Sequence, residues 1–104
     1  MTKYKIIIGK SAERDLKDII AYIREILHEP DIAMKVYSSI TTKILSLNEF
    51  PLRYALIKEE PYCSMGIRRI PVENYTAFYV VDENEKTVHI FRILYNRREW
   101  QYLL

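Results

Sequence analysis

Arginine dominates the cationic side chains in the last part of the chain. Five of the six lysines and arginines after position 60 are arginines, at Arg68, Arg69, Arg92, Arg97 and Arg98. A guanidinium is a planar fork that grips phosphate or carboxylate with two hydrogen bonds and stacks on bases and rings, so this set points to an anionic partner. Nine tyrosines offer further rings for stacking, and Tyr75, Tyr79 and Tyr95 share the arginine-rich stretch. Such a set could cleave RNA, with arginine stabilising a phosphorane-like transition state and a neighbouring group guiding the proton. Each residue also has a plainer reading. Arg68 and Arg69 alternate on one strand, so only one can face a groove, and the plainer reading of the pair is a solvated edge. Arg92 interrupts the apolar phase of Val88, Ile90 and Leu94, and a charge there needs a partner, either a ligand or an acid such as Glu73. His28, His89 and Cys63 lack metal-ligand spacing, and there is no glycine-rich phosphate loop or nucleophile-base spacing, so no metal and no cofactor are expected.

These residues must be positioned by elements that the periodicity predicts. Tyr4 to Ile8 reads as a strand buried on both faces. Ser11 reads as the N-cap of a first helix with Glu13 and Asp15 in its first turn, where the helix dipole favours negative charge. Ala12, Leu16, Ile19, Ile20, Ile23 and Leu27 form its apolar stripe. Glu29-Pro30-Asp31 breaks that pattern and starts a second helix, with Ala33, Val36, Tyr37, Ile40, Ile44 and Leu47 on one side and an end near Asn48. Neither helix shows a second apolar face, so the hairpin must lie on a sheet. Residues 50 to 66 read as a loop in which Tyr54 to Ile57 could pair briefly at an edge.

Ile67 to Pro71, Tyr75 to Val81 and Thr87 to Tyr95 are rich in β-branched and aromatic residues and predict an antiparallel meander. Alternation puts Thr76, Phe78 and Val80 on one face and Tyr75, Ala77, Tyr79 and Val81 on the other. One face should meet the helices and the other should remain a shallow groove. Trp100, Leu103 and Leu104 follow at helical spacing. They are candidates for partner contact, with packing on the protein's own core as the alternative. The fold class is therefore α+β: an N-terminal strand and a two-helix hairpin packed on a small antiparallel sheet.

The 104 residues suit one domain spanning 1–104, and the content of 49% hydrophobic and 29% charged residues is that of a globular chain. A single cysteine excludes an internal disulfide. The N-terminus has too short an apolar run for a signal peptide and no run is long enough for a membrane helix, so a cytoplasmic protein without membrane contact is expected. A net charge of +2 is too small for general polyanion binding, so any basic site must come from local clustering.

The segments GIRRIPVENYTAFYVVDE and VHIFRILYNRREW resemble the C-terminal half of the RelE/ParE superfamily of bacterial toxins, and SAERDLKDIIAYI and SLNEFP resemble its two helices. The resemblance implies the toxin component of a type II toxin-antitoxin system, of the kind that stabilises plasmids, neutralised by a cognate antitoxin. RelE-like members cut messenger RNA on the ribosome, and ParE-like members poison DNA gyrase. Arg68, Arg69, Arg92 and Arg97 match positions where the superfamily is commonly basic and form the candidate catalytic set. Arg98, Tyr75, Tyr79 and Tyr95 are candidate contacts to target or RNA, and Trp100, Leu103 and Leu104 are candidate antitoxin contacts. The ribonuclease pattern has arginine after the residue that opens the third strand, where this chain has Thr76, and often histidine before the arginine pair, where it has Asn96. The expectation is accordingly ParE-like gyrase inhibition. The alternatives are a ribosome-dependent endoribonuclease and a non-toxic nucleic-acid-binding module.

Overall fold

The computed structural model describes residues 3–96, 100 and 103–104. Strand β1 (Lys5–Ile8) leads into helix α1 (Lys10–Ala21), which continues as a π-helical turn over Tyr22–Ile26. Helix α2 (Pro30–Leu45) ends in a 3-10 turn over Ser46–Asn48, and strands β2 (Ile67–Val72), β3 (Tyr75–Asp82) and β4 (Thr87–Tyr95) follow. The sheet order is β1-β4-β3-β2, antiparallel through the last three strands and parallel between β1 and β4. The α+β class and the helical hairpin on a sheet are as the periodicity predicted.

The hairpin turns where α1 runs out of helical partners. His28 takes a left-handed φ of 55°, the Glu29 amide donates back to the Ile23 carbonyl at 3.1 Å, and Pro30 opens α2. Proline suits that first position because its missing N–H would have no partner there. Ala12, Leu16, Ile23, Ala33, Val36, Ile40, Ile44 and Leu47 are buried with Ile70, Ala77, Tyr79, Val88, Ile90 and Ile93 of the sheet in the main core. A second cluster, Ile57, Ile67, Phe78 and Leu94, lies on the other side of the sheet, and Tyr62, Phe91, Trp100, Leu103 and Leu104 pack on it.

Several local expectations are corrected. Strand β1 is at the sheet edge, with Ile6 and Ile8 packed on the core while Lys5 and Ile7 are exposed. The N-cap of α1 is Gly9, which closes the strand-helix corner so tightly that a Cβ there would stand 3.3 Å from the Ile90 carbonyl oxygen. Asp15 therefore lies beyond the first turn and serves another purpose, described below. The hairpin does carry a second apolar surface: Tyr22, Ile26, Leu27, Met34 and Tyr37 are exposed. Leu27 falls off the α1 stripe because the π-helical turn rotates it outward, the wider turn adding a residue per cycle. Segment Tyr54 to Ile57 makes one bridge, Leu56 to Arg68, rather than a strand.

The decisive irregularity is a bulge in β4. Tyr79 is opposite Ile90 and Phe78 is opposite Arg92, so Phe91 is an extra residue. A bulge shifts the alternation by one. Val88 and Ile90 face the helices before it and Ile93 does so after it, while Leu94 turns to the opposite cluster. Arg92 therefore does not interrupt an apolar row. It sits at the point where the row changes sides.

Candidate functional site

The five candidate arginines divide sharply. Arg97 and Arg98 lie outside the described residues. Arg92 meets Asp15, not Glu73: its Nε and Nη2 donate to the two carboxylate oxygens at 2.7 and 3.1 Å, and its Nη1 donates to the Leu103 carbonyl at 2.6 Å. Strand β1 ends opposite Ile90, leaving the later β4 amides without a neighbouring strand, and the Asp15 carboxylate accepts from the Ile93 amide at 3.0 Å in its place. The hydrogen bond to Asp15 raises the Arg92 pKa above its ordinary value against the opposing effect of burial. Glu73 instead accepts a hydrogen bond from the Ser39 hydroxyl. Asp15 was recoverable from the sequence, since Ala12, Asp15 and Ile19 share one stripe at three- and four-residue spacing.

Arg68 and Arg69 alternate as strand geometry requires. Arg68 points toward the helix side and donates to the Tyr54 and Leu52 carbonyls at 2.6 and 3.3 Å, which ties the irregular 51–56 segment to β2. Arg69 is exposed on the other face, with its guanidinium carbon 5.9 Å from the Trp100 ring centroid. Gly66 precedes them at a φ of 77°, a conformation that glycine adopts without strain and that turns the chain into β2.

The tyrosines separate in the same way. Tyr79 is fully buried and its hydroxyl donates to the Pro51 carbonyl at 2.7 Å, so it belongs to the core and cannot touch a target. Burial pushes its pKa up to about 12, against the lowering influence of Arg68 and Arg53. Tyr75 packs against the helix-side core, with Tyr95 at a ring separation of 5.6 Å. Burial, and then Tyr95, Glu73 and Tyr22, raise the Tyr75 pKa, which leaves it neutral and a poor general base at physiological pH.

A groove of about 500 Å³ crosses the sheet face away from the helices, lined by Tyr54, Ala55, Arg69, Pro71, Thr76, Phe78, Leu94, Tyr95, Asn96 and Trp100. Trp100 stands at one side of it, its ring 5.7 Å from those of both Phe78 and Tyr62. The Leu104 amide bonds back to the Trp100 carbonyl at 3.0 Å, and both residues pack on the cluster of this face. At the other side the Thr76 hydroxyl donates to Asn96 Oδ1 at 2.5 Å, and the Asn96 amide donates to the Glu73 carbonyl at 3.3 Å. Tyr54 and Ala55 were not legible as groove residues, since nothing in a loop's composition says which sheet face it will border. Among the described residues no cluster of three histidine, cysteine, aspartate or glutamate side chains could hold a metal.

The family model for the ParE toxin of the type II toxin-antitoxin system parDE matches residues 6–100. Among solved structures, the chain is similar to the chromosomal ParDE toxin-antitoxin system of P. aeruginosa, with a TM-score of 0.73 at 22% identity over 91% of this chain and 98% of that one. The toxin-antitoxin complex RelBE2 of Mycobacterium tuberculosis aligns with a TM-score of 0.66 at 21% identity over 89% of this chain and 98% of that one. A mutant of the E. coli toxin RelE in its free state aligns with a TM-score of 0.63 at 15% identity over 97% of this chain and 92% of that one. No curated protein sequence matches the chain.

Proposed function

Because the chain belongs to the ParE toxin family of type II toxin-antitoxin systems, we propose that it arrests bacterial growth by acting on a protein target, DNA gyrase, rather than by cutting messenger RNA. The observation that carries this reading is the Thr76–Asn96 hydrogen bond of 2.5 Å. These are the two positions where a RelE-like ribonuclease would carry arginine and histidine. Here both are uncharged, and their polar atoms satisfy each other and the Glu73 carbonyl. Without the arginine one transition-state contact is lost, which alone can cost on the order of 100-fold in rate. No histidine stands among the described residues lining the groove, and the Tyr75 phenol, shifted upward, is a poor general base. Arg92 is held by Asp15 and the Leu103 carbonyl, and Arg68 by two loop carbonyls, which leaves neither free to meet a phosphate.

The same reading includes a cognate antitoxin. Large apolar side chains left exposed on the helical hairpin, Tyr22, Ile26, Leu27, Met34 and Tyr37, favour a partner with an amphipathic element that covers them. Induction of the chain without that partner should stop growth, and co-expression of a small acidic or amphipathic protein encoded beside it should restore growth. Primer extension on messenger RNA after induction, run beside a gyrase supercoiling assay, separates the mechanisms. Impaired supercoiling with uncut messages is the expected result. Codon-phased cuts with normal supercoiling would replace this reading by the ribonuclease one.

A further inference from the structure

We propose that Phe50, presented with Leu45 and Leu52 just beyond the end of α2, is a knob that docks into an apolar pocket of a folded protein target. Resting on the reading of the chain as a toxin that acts on a protein, this docking names the surface that meets it. Phe50 is 65% exposed, the highest value among the large apolar side chains of the described residues, and Leu45 and Leu52 are exposed beside it in the chain. Its backbone is as unusual as its exposure. Phe50 takes a φ of 50° and a ψ of 52°, a left-handed conformation that bulky side chains disfavour, and it directly precedes Pro51, which favours extended backbone in the residue before it. His28, Glu73 and Lys86 also have positive φ, and all three are polar residues in links between elements. Phe50 is the apolar exception among the described non-glycine residues.

Internal donors hold the segment in this conformation. Arg53 Nη1 donates to the Glu49 and Phe50 carbonyls at 2.6 and 3.1 Å, and Nη2 donates to the Ser46 hydroxyl at 3.0 Å, so residues 46–53 fold around one guanidinium. The Tyr79 hydroxyl takes the Pro51 carbonyl and Arg68 takes that of Leu52. Four successive carbonyls, 49 to 52, therefore accept from side chains, which anchors the backbone while the Phe50 ring stays outside the core. A backbone conformation that disfavours its own side chain, and buries nothing in return, points to a use for that side chain. A ring held in place before contact loses little freedom on binding, and a few anchors of this kind carry most of the affinity of a protein interface.

Shape and charge select the occupant. A projecting ring needs a concave seat, which a folded protein supplies and an extended antitoxin segment does not. The apolar residues that favour the antitoxin also lie elsewhere: by the helical rise, Leu45 stands roughly 16 Å along α2 from Met34. Lys3 and Glu49 cancel each other at 3.2 Å, whereas Arg53 is held by uncharged groups and Lys43 is exposed, so cationic charge remains near the knob and favours a pocket with an acidic rim.

Asparagine tolerates left-handed backbone, so Phe50→Asn removes the ring and keeps the loop, while Phe50→Trp keeps a ring in its place. Wild type and variants would be compared in melting temperature, in inhibition of gyrase supercoiling, and in growth arrest on induction with primer extension on messenger RNA. Phe50→Asn should melt no lower than the wild type, lose at least tenfold in inhibition and fail to arrest growth, whereas Phe50→Trp should retain both to within about threefold. Arg53→Met keeps the ring and releases the clamp. It should lose part of the inhibition, with faster exchange of its own amide, which donates to the Phe50 carbonyl at 3.1 Å. Isothermal titration with the antitoxin should give one affinity for wild type and Phe50→Asn. Full inhibition and arrest by Phe50→Asn would overturn the docking and leave the gyrase reading standing. Arrest that Phe50→Asn abolishes, from a wild type that leaves supercoiling and messages untouched, would do the reverse, with the knob serving a different folded target. A tenfold loss of antitoxin affinity in Phe50→Asn, or a wild-type dimer in sedimentation that this variant makes monomeric, would give the knob to the antitoxin or to a second copy and overturn the docking. Codon-phased cuts, or no arrest by the wild type, would overturn both.

Discussion

The two faces of the sheet use the same residue types to opposite ends. On the helix side, polar atoms are paired with the protein's own groups: Tyr79 with the Pro51 carbonyl, Arg68 with the 52–54 backbone, and Asp15 with Arg92 at the margin. On the groove side Trp100 packs on Phe78 and Tyr62, and Arg69, stacked on Trp100, is otherwise exposed. A charged or aromatic side chain is thus no guide to function until its pairing is known. A buried polar group must find an internal partner or destabilise the fold, whereas a surface one keeps its capacity for a ligand.

The largest test of this division breaks the best-paired charge. Asp15 and Arg92 have side chains only 16% and 24% exposed, and removing one partner leaves the other with little water to replace it. Asp15→Ala should cost about 3 kcal/mol in urea unfolding, and Arg92→Met a comparable amount, with the double variant well short of the sum. Asp15→Ala also strips the Ile93 amide of its acceptor, so Asp15→Asn should recover part of the loss. A cost under about 1 kcal/mol would mean that the pair is a surface ion pair and that Arg92 is available for a ligand after all.

That pair also marks the limit of what the sequence made legible. The helices, their hairpin link and the three later strands follow from local periodicity and turn chemistry, which need only a few neighbouring residues. So does the opposition of Arg68 and Arg69. The bulge at Phe91 does not, because one extra residue in a run of Val, Ile, Phe and Leu leaves every local preference intact while reversing which side chains face inward. Read without it, Leu94 shares a face with Ile90, and Arg92 looks misplaced. The partner of Arg92 then goes unrecognised, although Asp15 stands on the buried stripe of α1. Edge position is equally invisible: β1 has the isoleucines of a central strand, yet its Ile7 is exposed. Tyr79 was assigned correctly to the face with Ala77 and still counted as a target contact, because face alone does not say how deeply a ring is covered.

Trp100 gives the next largest effect and tests whether the tail belongs to the second cluster or to a partner. It is half-buried on Phe78 and Tyr62. Trp100→Ala should therefore cost the free protein about 2 kcal/mol, less than the loss of a fully enclosed aromatic. Isothermal titration with the antitoxin supplies the other half of the comparison. Unchanged affinity alongside lowered stability would assign Trp100 to the fold alone, and reduced affinity would extend the partner surface from the hairpin to this face.

Tyr79 provides a smaller effect with a pH signature. Tyr79→Phe removes the donor to the Pro51 carbonyl and should cost about 1 kcal/mol near neutral pH. The folded protein raises the phenol pKa from 10.0 to about 12. The folded state therefore holds this proton more tightly, and the associated stability is fully present below pH 10 and lost as pH rises toward about 12. Denaturation of both proteins between neutral pH and pH 12 should show the wild type losing its advantage across that interval. A constant difference would mean that the hydroxyl is solvated, which would return Tyr79 to the candidate contacts.

The smallest expected effect on stability is the sharpest test of the comparison, because it sets two adjacent residues of one type against each other. Arg68→Met should leave the Tyr54 and Leu52 carbonyls without their donor and loosen the 51–56 segment, at a cost of about 1 to 2 kcal/mol. Arg69→Met loses only an exposed stack on Trp100 and keeps a straight apolar stem over the same ring, so its melting curve should match the wild type to within about 0.5 kcal/mol. Amide hydrogen exchange adds a positional reading: protection around Ile57, whose amide donates to the Ile67 carbonyl at 2.9 Å, should fall in the Arg68 variant and hold in the Arg69 variant. Equal destabilisation by the two substitutions would mean that Arg69 also supports the fold. The groove would then have no free cation among its described residues, and the contrast between a self-paired face and an exposed one would collapse.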